Sequence, residues 1–238
     1  SIRIPKLPFA EIAEIAKPAI EFQKQIQDLI SPAFDQLQKS FNELPSRTQE
    51  ALLKLGDHGW FLDLEMPLPG LWRLKEALSE GNVVEAENAQ VEYFSNRLDE
   101  IENSIVGKFP HREKMIRAAF RAHKREEYEL SIPVFLAQTD GICNDVIEQY
   151  LFMKQNNKPR TAIYVEQIAS DTYRAALLQP LAQALPIGAS KHERNEDFNE
   201  LNRHMVLHGE SLDYGTKVNG LKAISLINYV TQVLTLEP

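Results

Sequence analysis

The stretch NVVEAENAQVEYFSNRLDEIENSIV, Asn82–Val106, decides the fold class. Its apolar residues Val84, Val91, Phe94, Leu98, Ile101 and Ile105 advance by threes, fours and one seven. That is the period of a helix; a half-buried strand would alternate at every second residue. Asn82 stands in a capping position with Glu85 three residues on, the pattern of a capping box. One long helix from Asn82 to about Val106 is the expectation.

The same reasoning extends in both directions. Upstream, Pro69 opens a helix through Ser79, with Gly81 as its stop. Ser46 with Gln49 caps a helix towards His58, ended by Gly56 and Gly59, and Trp60 and Phe61 are core anchors. Pro18 and Pro32 divide the first residues into helical pieces at Ala10–Ala16, Ala19–Ile30 and Ala33–Phe41. Downstream, Pro110 starts a helix over His111–Arg125. Tyr128–Met153 reads as an apolar helix with Pro133 in its first turn. The polar run Lys154–Arg160 reads as a connector without strands. Helices are expected at Ala162–Ala169 and Asp171–Leu185, then a break at Pro186–Ser190, then a polar helix Glu193–His208 ended by Gly209. A last helix spans Lys217–Leu234, with Val218, Leu221, Ile224, Ile227, Val230 and Leu234 on one stripe. Ten glycines in 238 residues, about 4%, fall below the usual share of about 7%. Few turns therefore need positive φ. The fold class is all-α, with an N-terminal helical region over 1–125, a C-terminal helical domain over 126–238, and a soft boundary near Arg125–Tyr128.

Composition bounds the function. Lys and Arg number 26 against 34 Asp and Glu, a net charge of −8, which excludes a generally basic nucleic-acid coat but not a local basic site. The single Cys143 excludes a disulfide framework and suits a reducing compartment. With 43% hydrophobic and 25% charged residues the chain has the material for a packed core. No apolar run approaches the roughly 18 residues of a membrane span, and SIRIPKLPF lacks a signal-peptide core. A cytoplasmic location without membrane attachment is the expectation.

Several constellations carry chemical potential. Arg203 and His208 stand five apart in Arg203-His204-Met205-Val206-Leu207-His208-Gly209. On an unbroken helix they diverge by about 140°, so they converge only if the helix ends near His208 or if two copies face each other. A cation beside a group titrating near neutral pH suits phosphoryl chemistry. The alternative is a solvated Arg203 and histidines that cap a helix C-terminus against its dipole. Glu200, His204 and His208 fall at i, i+4 and i+8, a stripe of metal-compatible types. It lacks the Glu that would follow the first His in the zinc-protease pattern. On the helix His111–Arg125, the residues Lys114, Arg117, Arg121 and Arg125 form one basic stripe. That stripe either tracks an RNA backbone or pairs with the acidic helix carrying Glu85, Glu87, Glu92, Asp99, Glu100 and Glu102. Asp140, in an otherwise apolar helix, needs a partner, and Arg203 and the histidines are candidates. Cys143 reads as a core residue. No phosphate-binding glycine loop and no nucleophile elbow is present.

The Arg203-x4-His208 segment, followed by Gly209 and a Leu- and Ile-rich helix, resembles the HEPN superfamily. That family's motif is Arg, a polar residue, about three further residues, then His; the polar position here is His204. Asp140 resembles the acidic residue that many members carry on an earlier helix. The resemblance covers roughly Tyr128–Pro238. It implies an all-α bundle acting as a metal-independent endoribonuclease without a cofactor, with two motifs meeting across a homodimer. His208 would move protons, Arg203 would stabilise charge on the phosphorane, and Asp140 and His204 would orient them. The products would be a 2′,3′-cyclic phosphate and a 5′-hydroxyl. Relatives act in toxin–antitoxin systems and phage defence, which implies an antitoxin or regulatory partner. The alternative from another class is a non-catalytic, dimeric interaction module that senses RNA or nucleotides.

Overall fold

Helices dominate the described residues. The structure is a computed structural model, and it describes residues 43–156, 158–168 and 173–236. The pieces expected at Ala10–Ala16, Ala19–Ile30 and Ala33–Phe41 lie outside the described residues. We label the helices α1 (43–57), α2 (Leu68–Ser79), α3 (Val83–Ser95), α4 (Leu98–Lys108), α5 (Glu113–Lys124), α6 (Tyr128–Ile147), α7 (Thr161–Glu166), α8 (Tyr173–Leu178), α9 (Arg203–Leu207) and α10 (Lys217–Leu234). The described extended pairing is a hairpin of two-residue strands, β1 (Lys154–Gln155) and β2 (Lys158–Pro159), antiparallel with Lys154 opposite Pro159. The fold is all-α, and among the described residues no helix is long and apolar enough to cross a membrane. Residues 45–238 form one compact unit, and the Arg125–Tyr128 turn lies inside it, with α5 packed along α6.

Helix α10 is the centre, packed on α6, α3, α4 and α8. The stripe expected on it is only part of what it buries: Gly220 through Leu234 are all buried. A helix covered all round must also satisfy its polar side chains. Ser225 does so by accepting from the Phe61 amide at 3.2 Å. Gln232 accepts from the Leu64 amide at 2.8 Å and donates to Asp63 at 2.8 Å. These bonds fasten the segment after α1, whose Trp60 stacks on Phe94 at 5.9 Å, so both expected anchors are core residues. Cys143 is likewise fully buried, and that burial pushes its thiol up.

The Asn82–Val106 stretch departs from the single helix expected. It breaks at Asn96–Arg97 into α3 and α4. Arg97 leaves helical geometry (φ −116°, ψ 9°), and its guanidinium reaches the fully buried Asp63 at 3.0 Å, Glu65, and Glu100 at 2.9 Å. Asp63 also accepts from the Tyr93 hydroxyl at 3.2 Å. The corner sets a cation against a buried carboxylate, which would be costly if left unpaired. Exposed Val84, on the expected apolar stripe, contributes nothing to the core.

Further boundaries differ: Ser46, expected to cap α1, and Gly56, expected to end it, both lie inside it, and Asn82 makes no side-chain capping bond. Helix α6 ends at Ile147, not Met153, because Glu148 turns left-handed at φ 55°. The connector Lys154–Arg160 holds the hairpin, reversed at Asn156 with φ 52°. Helix α8 ends early as a tight turn, Gln179–Leu181, whose Pro180 cannot donate a helical bond.

Candidate active site

The expected helix Glu193–His208 is mostly not a helix. Lys191–Glu193 forms one tight turn, closed by a capping box between Ser190 and Glu193. The chain then runs without regular structure to Asn202, and α9 occupies only Arg203–Leu207. Asn202 decides where α9 starts. Its side-chain oxygen accepts from the Met205 amide at 3.1 Å, an N-cap. Its buried amide group donates to the carbonyls of Pro186 and Ala189 at 2.7 and 2.9 Å. Glu200 pairs with the buried Lys222 of α10 at 3.1 Å, and Lys222 also meets Glu87 of α3 at 3.4 Å. The run into α9 is therefore held at two points. Gly209 closes the helix in left-handed geometry, φ 70°, where a side chain would be strained.

Arg203 and Asp140 come together although 63 positions separate them. The guanidinium lies 3.9 Å from the carboxylate and 5.6 Å over the ring of Phe152. The other Asp140 oxygen accepts from the Phe152 amide at 3.2 Å. Burial raises the Asp140 carboxyl above its ordinary range, against the lowering effect of that amide, Arg203 and the Leu151 amide. Beyond the left-handed turn at Glu148, the amides of Leu151 and Phe152 return to Asp140 of α6. The Nε–H of Arg203 has no hydrogen-bond partner among the described residues.

His204 and His208 stack one turn apart, with ring centroids at 6.0 Å and planes 7° from parallel. His208 is exposed and His204 half-buried. Burial depresses His204 first, followed by the positive charges of Arg203, His208, Lys154 and Arg194. His204 is thus held neutral to lower pH than a free imidazole. Helix α9 is unbroken through Leu207, with His208 as its cap, so Arg203 turns towards Asp140 and Phe152 while His208 faces His204.

Glu200 does not join the histidines in a ligand stripe, because it precedes the helix and turns to Lys222. Among the described residues no group of His, Cys, Asp and Glu side chains is arranged to hold a metal ion.

The basic face of α5 divides. Arg117 bonds Glu113 at 2.8 Å, Glu102 at 3.2 Å and Asn103 at 3.4 Å. Arg125 pairs with Glu127 at 2.6 Å. Lys124, absent from the expected stripe, ties α5 to α4 through Asp99 at 2.6 Å and Glu102 at 2.7 Å. Lys114 and Arg121 are exposed and make no ion pair among the described residues.

Two cations beside His204 escaped the sequence reading. Lys154, on β1, pairs with Glu193, and Arg194 bonds Glu210 at 3.2 Å. No local spacing links them to the motif; the hairpin and the Ser190 capping box bring them there. No family profile, curated protein or solved structure matches this chain.

Proposed function

We propose that the α9 edge is half of a metal-independent endoribonuclease site, completed by a second copy of the chain. The observation that carries this reading is the meeting of Arg203 with Asp140, on two separate helices, beside the stacked His204 and His208. Asp140 and Phe152 hold the guanidinium, and because its closest approach to Asp140, 3.9 Å, is no hydrogen bond, its donors are left for phosphate. The RNA 2′-hydroxyl attacks the adjacent phosphorus and gives its proton to an imidazole. The P–O5′ bond breaks, and the departing oxygen takes up a proton from an imidazolium. A 2′,3′-cyclic phosphate and a 5′-hydroxyl result. His208, exposed, serves the proton transfer. Arg203 stabilises the charge that builds on the phosphorane oxygens. His204, kept neutral by its surroundings, orients its neighbour or serves as base.

Because Arg203 and His208 face apart on one α9, a homodimer with two α9 helices in apposition supplies the missing partner. RNA is the substrate; phage defence or a toxin–antitoxin pair is the setting that the motif's resemblance to HEPN domains suggests. The test is incubation of labelled RNA with the purified protein in EDTA. Cleavage to cyclic-phosphate ends, lost in Arg203→Ala and in His208→Ala, is the expected result. Cleavage that requires a divalent ion, or that survives both substitutions together, overturns the reading.

A further inference from the structure

We propose that Arg194 and Lys154 join Arg203 in a second phosphate subsite beside His204, which takes the RNA phosphodiester next to the scissile one and which Glu210 occupies in the free protein. The inference rests on the ribonuclease reading of the same edge.

The cations arrive from separate parts of the chain: Lys154 from β1, Arg194 from the irregular run before α9, and Arg203 from α9 itself. Contacts chain them together: Arg203 covers the ring of Phe152, two residues before Lys154, and the partner of Lys154, Glu193, directly precedes Arg194. Each cation has a carboxylate close by, Glu193, Glu210 and Asp140 respectively, so an anion enters by exchange with the least firmly held of them.

Arg194 is the strongest single sign. Its side chain is only 9% exposed, and its Nε–H has no partner among the described residues. A guanidinium presents five donors, and leaving one buried and unpaired is costly. Its carboxylate partner, Glu210, is 46% exposed and lies just beyond the Gly209 turn. The cation is fixed while the anion sits at the rim. Lys154 contrasts with this. Its partner Glu193 is locked by the Ser190 amide at 2.7 Å and the Ser190 hydroxyl at 2.8 Å, and the bond from Lys154 first, then these contacts, hold its carboxyl down at about 2. Glu193 thus stays in place and positions Lys154, whereas Glu210 is free to leave. Arg203 likewise keeps an unspent Nε–H, and its contact with Asp140, at 3.9 Å, is too long for a hydrogen bond. Two unspent guanidinium donors and an ammonium around one imidazole match a tetrahedral group with several acceptor oxygens. Glu210 supplies one carboxylate to Arg194 alone, so it is the weaker occupant.

The experiment uses a short single-stranded oligonucleotide without 2′-hydroxyls, which binds but cannot be cleaved, followed by fluorescence anisotropy over a range of salt. Arg194→Gln and Lys154→Gln are each expected to weaken binding about tenfold and to flatten the log–log salt slope by about 0.7. Glu210→Gln is expected to tighten it. Unchanged affinity and slope in the Arg194 and Lys154 variants overturn the subsite. Should Arg194→Gln not fold, Glu210→Gln decides: tighter binding supports the subsite and unaltered binding overturns it. Wild-type protein that shows these dependences but leaves the all-ribose oligonucleotide intact keeps the subsite and removes the ribonuclease reading. Cleavage by wild type with variants that bind normally does the reverse.

Discussion

The hydroxyl of Tyr214 donates to the backbone carbonyl of Glu129 at 2.9 Å, across 85 residues of chain. Glu129 stands four positions before Pro133, which lies inside α6 and has no N–H to return. The proline opens one rung of the helix, and a tyrosine from the segment between α9 and α10 closes it. The Tyr214 carbonyl in turn accepts from Asn219 at 3.0 Å at the start of α10. The exit from the candidate site is thereby fastened to both central helices. Tyr214→Phe removes the bond with little change of shape. The expected cost is about 1 kcal/mol, seen as a lower urea midpoint at constant slope. An unchanged midpoint would mean that water serves the carbonyl equally well.

His123 gives the fold a pH dependence. It is buried against Tyr128 and Phe135, and its Nδ1 lacks a partner. Burial, aided by Lys217 and Lys124, depresses it from 6.5 to about 4. The folded state then binds fewer protons than the unfolded state. Its contribution is fully present above pH 6.5 and is lost as pH falls towards 4, by about 3 kcal/mol in all. Urea titrations at pH 7 and pH 4.5 should show this loss in wild type and a smaller one in His123→Phe. Gly220 leaves room for the ring, since a Cβ there would come within 2.6 Å of Nδ1. Gly220→Ala is therefore expected to destabilise strongly. Equal acid sensitivity in wild type and His123→Phe would place the titration elsewhere.

How far the sequence carried the reading can be seen in particular residues. Period and punctuation located α2, α5 and α10, because those helices obey local rules. The Asn96–Arg97 corner was not legible, since its cause is a carboxylate at Asp63, outside the segment. The irregular run before α9 was hidden for a similar reason: its polar residues fit a solvated helix, yet Asn202 is buried and spends its bonds on Pro186 and Ala189. At the site, Arg203, His204, His208 and Asp140 were legible as types. Lys154 and Arg194 were not, because only tertiary folding brings a hairpin and a capped turn beside α9.

The basic face of α5 should separate by function. Arg117 and Lys124 are engaged with α4, so Arg117→Glu and Lys124→Glu are expected to lower the thermal midpoint by several degrees, through repulsion with Glu102. Lys114 and Arg121 are exposed and unpaired among the described residues. Lys114→Glu with Arg121→Glu is expected to leave the midpoint nearly unchanged while weakening RNA binding and flattening its salt slope. Equal RNA affinity in that double variant would remove α5 from the binding surface and leave its basic stripe a purely structural feature.

The composite nature of the site makes the sharpest demand. Within one chain α9 points Arg203 at Asp140 and His208 at His204, so the proposed mechanism draws its cation and its imidazole from different copies. Arg203→Ala and His208→Ala homodimers should each be inactive, by about 10²-fold or more. Mixing the two, with subunit exchange, creates heterodimers. In each of these, one site joins the intact Arg203 of the His208→Ala chain to the intact His208 of the Arg203→Ala chain. The opposite site lacks both. Random pairing makes about half of the dimers mixed, and half of their sites competent, so activity should return to about a quarter of wild type. A mixture of wild type with the double variant tests the converse: a heterodimer with both residues on one chain should cleave no better than background. Activity in that mixture above its residual wild-type homodimer, together with no rescue between the single variants, would show that Arg203 and His208 act within one chain, and that α9 rearranges when RNA binds.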